Sequence, residues 1–189
     1  METYLEILVP FSKNAKWFLN LRAVLRQSNI PVRWQNEEKY PYHITMAYLD
    51  YTPEGVRLET ILDKHFAEWP VPELIFDRID VFETKKRGDL IINLTSSPAN
   101  IPDGFKAKIA SVRKDLEESG CRIESDFKLH VTLGRIKAEQ KIECSTVSNL
   151  IAGVKIPSFS LVLTDVEHRK ARTEHSVPPL YNITLKELR

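Results

Sequence analysis

Residues 43–49, His43-Ile44-Thr45-Met46-Ala47-Tyr48-Leu49, and residues 130–135, His130-Val131-Thr132-Leu133-Gly134-Arg135, decide how this chain is read. Both begin as alternating polar and apolar residues, the period-2 signature of a strand with one buried face. Strict alternation places His43, Thr45 and Ala47 on one face, and Tyr42, Ile44, Met46 and Tyr48 on the other. In the second run it places His130, Thr132 and Gly134 opposite Leu129, Val131, Leu133 and Arg135. Ala47 and Gly134 are then expected to leave room for a ligand to lie against the sheet.

Moving outward, each run follows a strand and a helix. Leu5-Glu6-Ile7-Leu8-Val9 reads as a buried strand ended by Pro10, and Ser12 is expected to cap a helix reaching about Gln27. Trp17, Phe18, Leu21, Val24 and Leu25 fall at helical spacing there, and an extended piece at Val32-Arg33-Trp34 follows. The second series has a strand at Leu90–Leu94, a helix from Ile101 to Glu118 stopped by Gly120, an extended stretch from Cys121 and a strand from Lys128 to Arg135. With Leu5 and Leu90 as matching points, the histidines follow after 38 and 40 residues (43 minus 5, 130 minus 90), which predicts a duplication.

A further helix is expected from Pro53 or Glu54 to Ala67, a strand near Leu74 to Phe82, and a short helix near Thr146 to Ala152. The chain then reads as a strand at Ser158 to Val166, a basic loop from His168 to His175 and a strand at Leu180 to Leu188. These elements predict an α+β fold of two pseudo-two-fold related lobes, with mostly antiparallel sheets lining a central cleft and helices outside. Residues 1–189 are expected to form one bilobal domain, because Thr95-Ser96-Ser97-Pro98 is too short to be a linker.

The composition, 42% apolar and 28% charged over 189 residues, suits an ordinary globular core. A net charge of +1 supplies no global field, so the chain is not expected to grip a long nucleic-acid tract. No apolar run approaches the roughly 20 residues that span a bilayer. Cys121 and Cys144 lack metal-ligand spacing, and Met1-Glu2-Thr3-Tyr4 lacks the features of a signal peptide. A soluble, cytoplasmic, monomeric protein without membrane contact is expected.

Histidine titrates near pH 6.5, so two copies supply one general base and one general acid near neutrality. Each threonine adds a hydroxyl donor for a phosphoryl oxygen. His43, Thr45, His130 and Thr132 are therefore the expected catalytic residues of a phosphodiester cleavage site. No His-x-His or carboxylate-rich cluster accompanies either motif, so no metal and no cofactor are expected. Arg135 is a candidate for offsetting phosphate charge, although strict alternation turns it away from His130 unless a bulge intervenes. Trp34 and Tyr181, with Tyr40, are candidates for stacking on a base, while parity assigns Tyr42 to the core. Phe127 is a pocket wall or a core residue. The basic run His168-Arg169-Lys170-Ala171-Arg172 is a candidate for a neighbouring phosphate, and His65, His168 and His175 lack a strand context.

Taken together, Tyr4-Leu5-Glu6-Ile7-Leu8-Val9-Pro10, Arg33-Trp34 and the two His-x-Thr runs resemble the 2H phosphoesterase superfamily over nearly the whole chain. The second run is similar to the His-x-Thr-Leu-small-Arg sequence of the branch comprising 2'-5' RNA ligase and RNA 2',3'-cyclic phosphodiesterase. The resemblance implies metal-independent hydrolysis of a 2',3'-cyclic phosphate on an RNA end or small nucleotide. It favours His43 as acid and His130 as base. Asp50 stands where that branch commonly has glycine and Leu129 where it commonly has proline, which leaves the substrate open. The alternatives are 2'-5' oligonucleotide phosphodiesterase or RNA ligase activity, or a non-catalytic module that binds a nucleotide or an RNA end.

Overall fold

The computed structural model describes residues 2–9, 14–36, 41–83, 88–124, 126–151, 154–155, 159–165 and 181–187. Ser12, Tyr40, the run His168–Arg172 and His175 lie outside them.

The first series consists of β1 (Thr3–Leu8), α1 (Lys16–Gln27), β2 (Arg33–Trp34) and β3 (His43–Tyr51). Next come α2 (Leu58–Phe66), β4 (Pro70–Val71), β5 (Ile75–Phe76) and β6 (Arg78–Glu83). The second series consists of β7 (Asp89–Thr95), α3 (Asp103–Glu118), β8 (Arg122–Ile123) and β9 (His130–Lys137). The last elements are α4 (Cys144–Ser148), β10 (Val154–Lys155), β11 (Phe159–Asp165) and β12 (Tyr181–Glu187). The helix expected from Pro53 begins only at Leu58, because Gly55 takes φ +84° and turns the chain first.

Two main sheets carry the lobes. One has the order β4-β12-β11-β1-β3-β8, the other β2-β9-β7-β6, and β10 pairs with β5 apart from both. Every pairing is antiparallel except that of β12 with β4. The duplication is therefore β1-α1-β2-β3 against β7-α3-β8-β9, with an exchange. β2 crosses from the first series to pair with β9, and β8 crosses from the second to pair with β3. The ion pair of Arg122 with Asp50 at 2.8 Å joins β8 to β3, so the aspartate at this position clasps the crossing strand.

Register sharpens the duplication. Leu8 lies opposite His43 and Thr95 opposite His130, so both histidines follow their strand partner by 35 residues (43 minus 8, 130 minus 95). Ile92, rather than Leu90, is the counterpart of Leu5, since these two face Gly134 and Ala47.

The core explains the helix faces. Phe18, Leu21 and Leu25 of α1 are buried, as are Phe105, Ile109, Val112 and Leu116 of α3, and both sets recur at helical spacing. Phe18 meets Trp34 edge-on at 5.1 Å and Tyr42 at 6.3 Å, so α1 seats both β2, which pairs with β9, and the segment leading into β3. His65 holds α2 to α3 through Asp115 at 2.8 Å. Among the described residues, no helix is long and apolar enough to cross a membrane.

Candidate active site

Each His-x-Thr strand contains one extra residue. On β3, Thr45 pairs with Glu6 and Ala47 with Leu5, leaving Met46 without a partner on β1. On β9, Thr132 pairs with Asn93 and Gly134 with Ile92, leaving Leu133 without a partner on β7. Such a bulge rotates the following residues by one face. Burial follows the rotated phase: Met46 and Ala47 are both buried, as are Leu133 and Gly134, and the less buried positions are His43, Thr45 and Tyr48, or His130, Thr132 and Arg135. The bulged carbonyls accept hydrogen bonds from elsewhere, Met46 O from Arg113 Nη1 at 3.0 Å and Leu133 O from the Gln35 amide at 2.9 Å.

The bulges correct the parity expected of four residues. Tyr48 and Arg135 share the faces of their histidines, whereas Ala47 and Gly134 turn away. The space on the Cβ side of Gly134 is filled by β2, because a Cβ there would stand 2.9 Å from the Arg33 carbonyl oxygen and 3.1 Å from the Trp34 Cα. Its small size admits the β2 backbone.

The two imidazoles are held alike. His43 Nδ1 donates to the Pro41 carbonyl at 3.0 Å and His130 Nδ1 to the Lys128 carbonyl at 2.8 Å, in both cases the carbonyl two residues earlier. This arrangement puts the ring proton of each neutral imidazole on Nδ1 and gives the proton-transfer role to Nε2.

Beneath them lie two fully buried polar side chains at matching register positions, Glu6 and Asn93, each 0% exposed. A Glu6 carboxylate oxygen is 3.5 Å from His43 Nε2. Asn93 Oδ1 accepts from the Thr132 hydroxyl at 3.1 Å, and its Nδ2 donates to the Ile91 carbonyl at 3.0 Å. Burial pushes the His130 imidazole below its ordinary value, the nearby charges of His43 and Lys128 act in the same direction, and the hydrogen bond to the Lys128 carbonyl opposes them.

His43, Thr132, Arg135, Trp34, Arg33, Gln35 and Gly134 line a common cavity of about 330 Å³, so both strands contribute to it. His130 and Thr45 are not among its lining residues, but they lie on the same faces of β9 and β3 as Thr132 and His43. Phe82 packs edge-on to His130 at 5.3 Å. Phe127 instead packs against the core, with its ring 6.2 Å from Phe105, and is not among the lining residues. Tyr42 is buried, in agreement with its parity. Tyr181 begins β12, and its side chain lies outside the described residues. Among the described residues, no group of three or more His, Cys, Asp or Glu side chains is placed to hold a metal ion.

Glu6, Asn93, Tyr48, Gln35 and Phe82 were not singled out from sequence. Glu6 had a visible signal, a charged residue inside the apolar run Leu5–Val9.

Residues 99–177 match the family described as LigT like phosphoesterase. No curated protein sequence matches the chain. Among solved structures, Escherichia coli LigT complexed with 3'-AMP superposes with a TM-score of 0.56 at 15% identity, covering 98% of this chain and 99% of that one. Kluyveromyces marxianus Usb1 superposes with a TM-score of 0.55 at 12% identity, covering 98% and 97%. The same protein with uridine monophosphate gives 0.53 at 13%, covering 98% of each. The family match covers residues 99–177, which include the second His-x-Thr run, and the solved structures share the α+β fold expected from the sequence across nearly the whole chain.

Proposed function

We propose that this protein is a metal-independent phosphodiesterase acting on RNA ends or small nucleotides, and that it hydrolyses 2',3'-cyclic phosphates by two-histidine acid-base catalysis. The observation that carries this reading is the shared tethering of the two imidazoles. Both Nδ1 atoms are bound to main-chain carbonyls, so both Nε2 atoms are left for proton transfer. The family match over residues 99–177 supports the reaction class. The nucleotides bound to the structurally similar proteins support the kind of substrate.

In this mechanism His130 is the base and His43 the acid. Burial keeps His130 neutral near pH 7, so its Nε2 takes a proton from water as the water oxygen bonds to phosphorus. The ribose oxygen that leaves phosphorus takes a proton from His43 Nε2, and the ring opens to a phosphomonoester. The buried Glu6 carboxylate beside that nitrogen favours a protonated imidazole. Arg135 faces the same cavity and balances the phosphate charge. The Thr132 hydroxyl turns from Asn93 to a phosphoryl oxygen, exchanging a neutral acceptor for a charged one, and Thr45 offers a second hydroxyl from β3.

The test is hydrolysis of 2',3'-cyclic, 3',5'-cyclic and 2'-5'-linked nucleotides in excess chelator. Turnover of the 2',3'-cyclic substrate that disappears in His43→Ala and His130→Ala is expected. Full activity in either variant, or turnover only with added metal, overturns the proposal.

A further inference from the structure

A second and larger cavity, of about 800 Å³, lies between α1 and β2 beside the histidine cavity. Its lining includes Leu19, Arg22, Arg26, Asn29, Val32 and Trp34, and none of its lining residues is acidic. The two cavities meet at Trp34, which lines both, and the neighbouring Arg33 lines the one holding His43. The Arg22 guanidinium lies 5.6 Å over the Trp34 indole, so the junction is a cation on an aromatic ring. Arg33 is partly engaged by Asp89 at 3.3 Å, whereas the groove itself presents Arg22 and Arg26 on exposed positions of α1. Leu19 is 47% exposed on the same helix, an apolar surface beside the two arginines.

We infer that this groove is a subsite for single-stranded RNA, holding the few nucleotides on the 5' side of the phosphate that reacts at the histidines. The inference rests on the proposed phosphodiesterase site and names its substrate more closely: an oligonucleotide end is preferred to a mononucleotide. A 2',3'-cyclic phosphate closes the 3' end, so any chain attached to it runs 5', and the groove that shares Trp34 with the histidine cavity gives that chain a path. Guanidinium groups match phosphates along the path, and the indole and the Arg22 plane supply surfaces on which bases stack without sequence preference. The molecule as a whole is nearly neutral at +1, so recognition of the chain rests on local positive charge such as that of this groove. An acidic peptide shares the charge but lacks both the stacking rings and a reason to begin at a phosphate site.

The experiment measures kcat/KM for 2',3'-cyclic phosphate-terminated RNAs of one to five nucleotides at two salt concentrations. A rise of about tenfold or more with length, weakening in high salt, is expected for the wild type. The double charge reversal Arg22→Glu/Arg26→Glu is expected to abolish that rise while hydrolysing the one-nucleotide substrate at the wild-type rate. Arg22→Lys/Arg26→Lys is expected to restore part of it. A flat length dependence in the wild type, or one unchanged by the charge reversal, overturns the inference while leaving the proposed reaction intact. Should no substrate turn over, binding of a fluorescent 3'-phosphorylated tetranucleotide decides it. A roughly tenfold loss of affinity in the charge reversal supports the groove, and equal affinity overturns it. Displacement of that tetranucleotide by a glutamate-rich peptide of equal charge, at equal concentration, also overturns it.

Discussion

The two His-x-Thr strands share a backbone and differ in chemistry. β3 and β9 each bulge one residue after the threonine, and each ties its histidine Nδ1 to the carbonyl two residues earlier. Each also receives a short strand from the opposite half of the chain. Yet the buried position facing the threonine is Glu6 in one lobe and Asn93 in the other, and the residue rotated inward by the bulge is Tyr48 in one and Arg135 in the other. The duplicated geometry supplies two equivalent proton-transfer atoms. Under the proposed mechanism, the unequal neighbours suit one lobe to an acid and the other to a phosphate-binding base.

The largest expected effect comes from removing either imidazole. His43→Ala or His130→Ala should lower kcat by about a hundred- to ten-thousandfold. Because the histidines act in one step, the double variant should be little slower than either single, far from the product of the two losses. Steady-state kinetics on a 2',3'-cyclic nucleotide in chelator tests this, and multiplicative losses would mean that the lobes act independently.

The next effect separates the inward-rotated residues. Arg135→Leu removes a guanidinium from the cavity and should lower kcat/KM by roughly ten- to a hundredfold, as expected for a charge-assisted contact to phosphate. Tyr48→Phe should change it much less. That ring stacks on Tyr4 at 4.6 Å, and its hydroxyl is held far above its ordinary titration range by burial and by Glu2. Equal losses would show that the bulges expose both residues to substrate in the same way.

These two residues also show where the sequence was legible. The order of elements, the paired motifs and the duplication could be read from periodicity and spacing, because they follow from local patterns of apolar residues. The bulge on β3 is not read from the sequence, and that on β9 enters only as the condition for turning Arg135 inward, because strict alternation carries through Met46-Ala47 and Leu133-Gly134. Two consecutive apolar residues followed by Tyr48 or Arg135 already break the period, so that signal was present. The exchange of β2 and β8 was not legible. A two-residue strand carries no pattern that identifies its partner, and these partners lie about a hundred or seventy residues away in sequence. Phe127 could not be assigned either, since an aromatic residue before a strand serves a cavity wall and a core equally until Phe105 is found beside it.

The buried pair sharpens the comparison through pH. His130 must be neutral to act as base, so activity falls as pH drops through its titration, which burial places below the ordinary value of 6.5. His43 must be protonated to act as acid, so activity falls at the alkaline side. Apart from Glu6, the charged groups facing that cavity among the described residues are Arg33 and Arg135, and neither favours a second positive charge. Glu6→Gln should therefore move the alkaline limb of kcat/KM to lower pH and leave the acid limb in place. Asn93→Asp sets a carboxylate beneath the other lobe and should move the acid limb upward. An alkaline limb unmoved by Glu6→Gln would remove the basis for calling His43 the acid.

The smallest expected effect concerns the residues that follow the bulges. Gly134 and Ala47 occupy matching buried positions, and Gly134 lies against a crossing backbone, with the Arg33 oxygen 2.9 Å and Val32 Cγ1 3.0 Å from where a Cβ would sit. Gly134→Ala must push β2 away from β9, at a cost of about 1–3 kcal/mol for overpacking. Since β2 carries Trp34 into the cavity, KM should rise as well. Ala47→Gly removes a buried methyl and loosens a strand, which costs about 1 kcal/mol, with no reason for KM to change. Denaturant unfolding and KM measured on the same preparations separate the two. A Gly134→Ala protein of wild-type KM would show that the placement of Trp34 does not depend on the close approach of β2, and the aromatic junction between the two cavities would then be held by α1 alone.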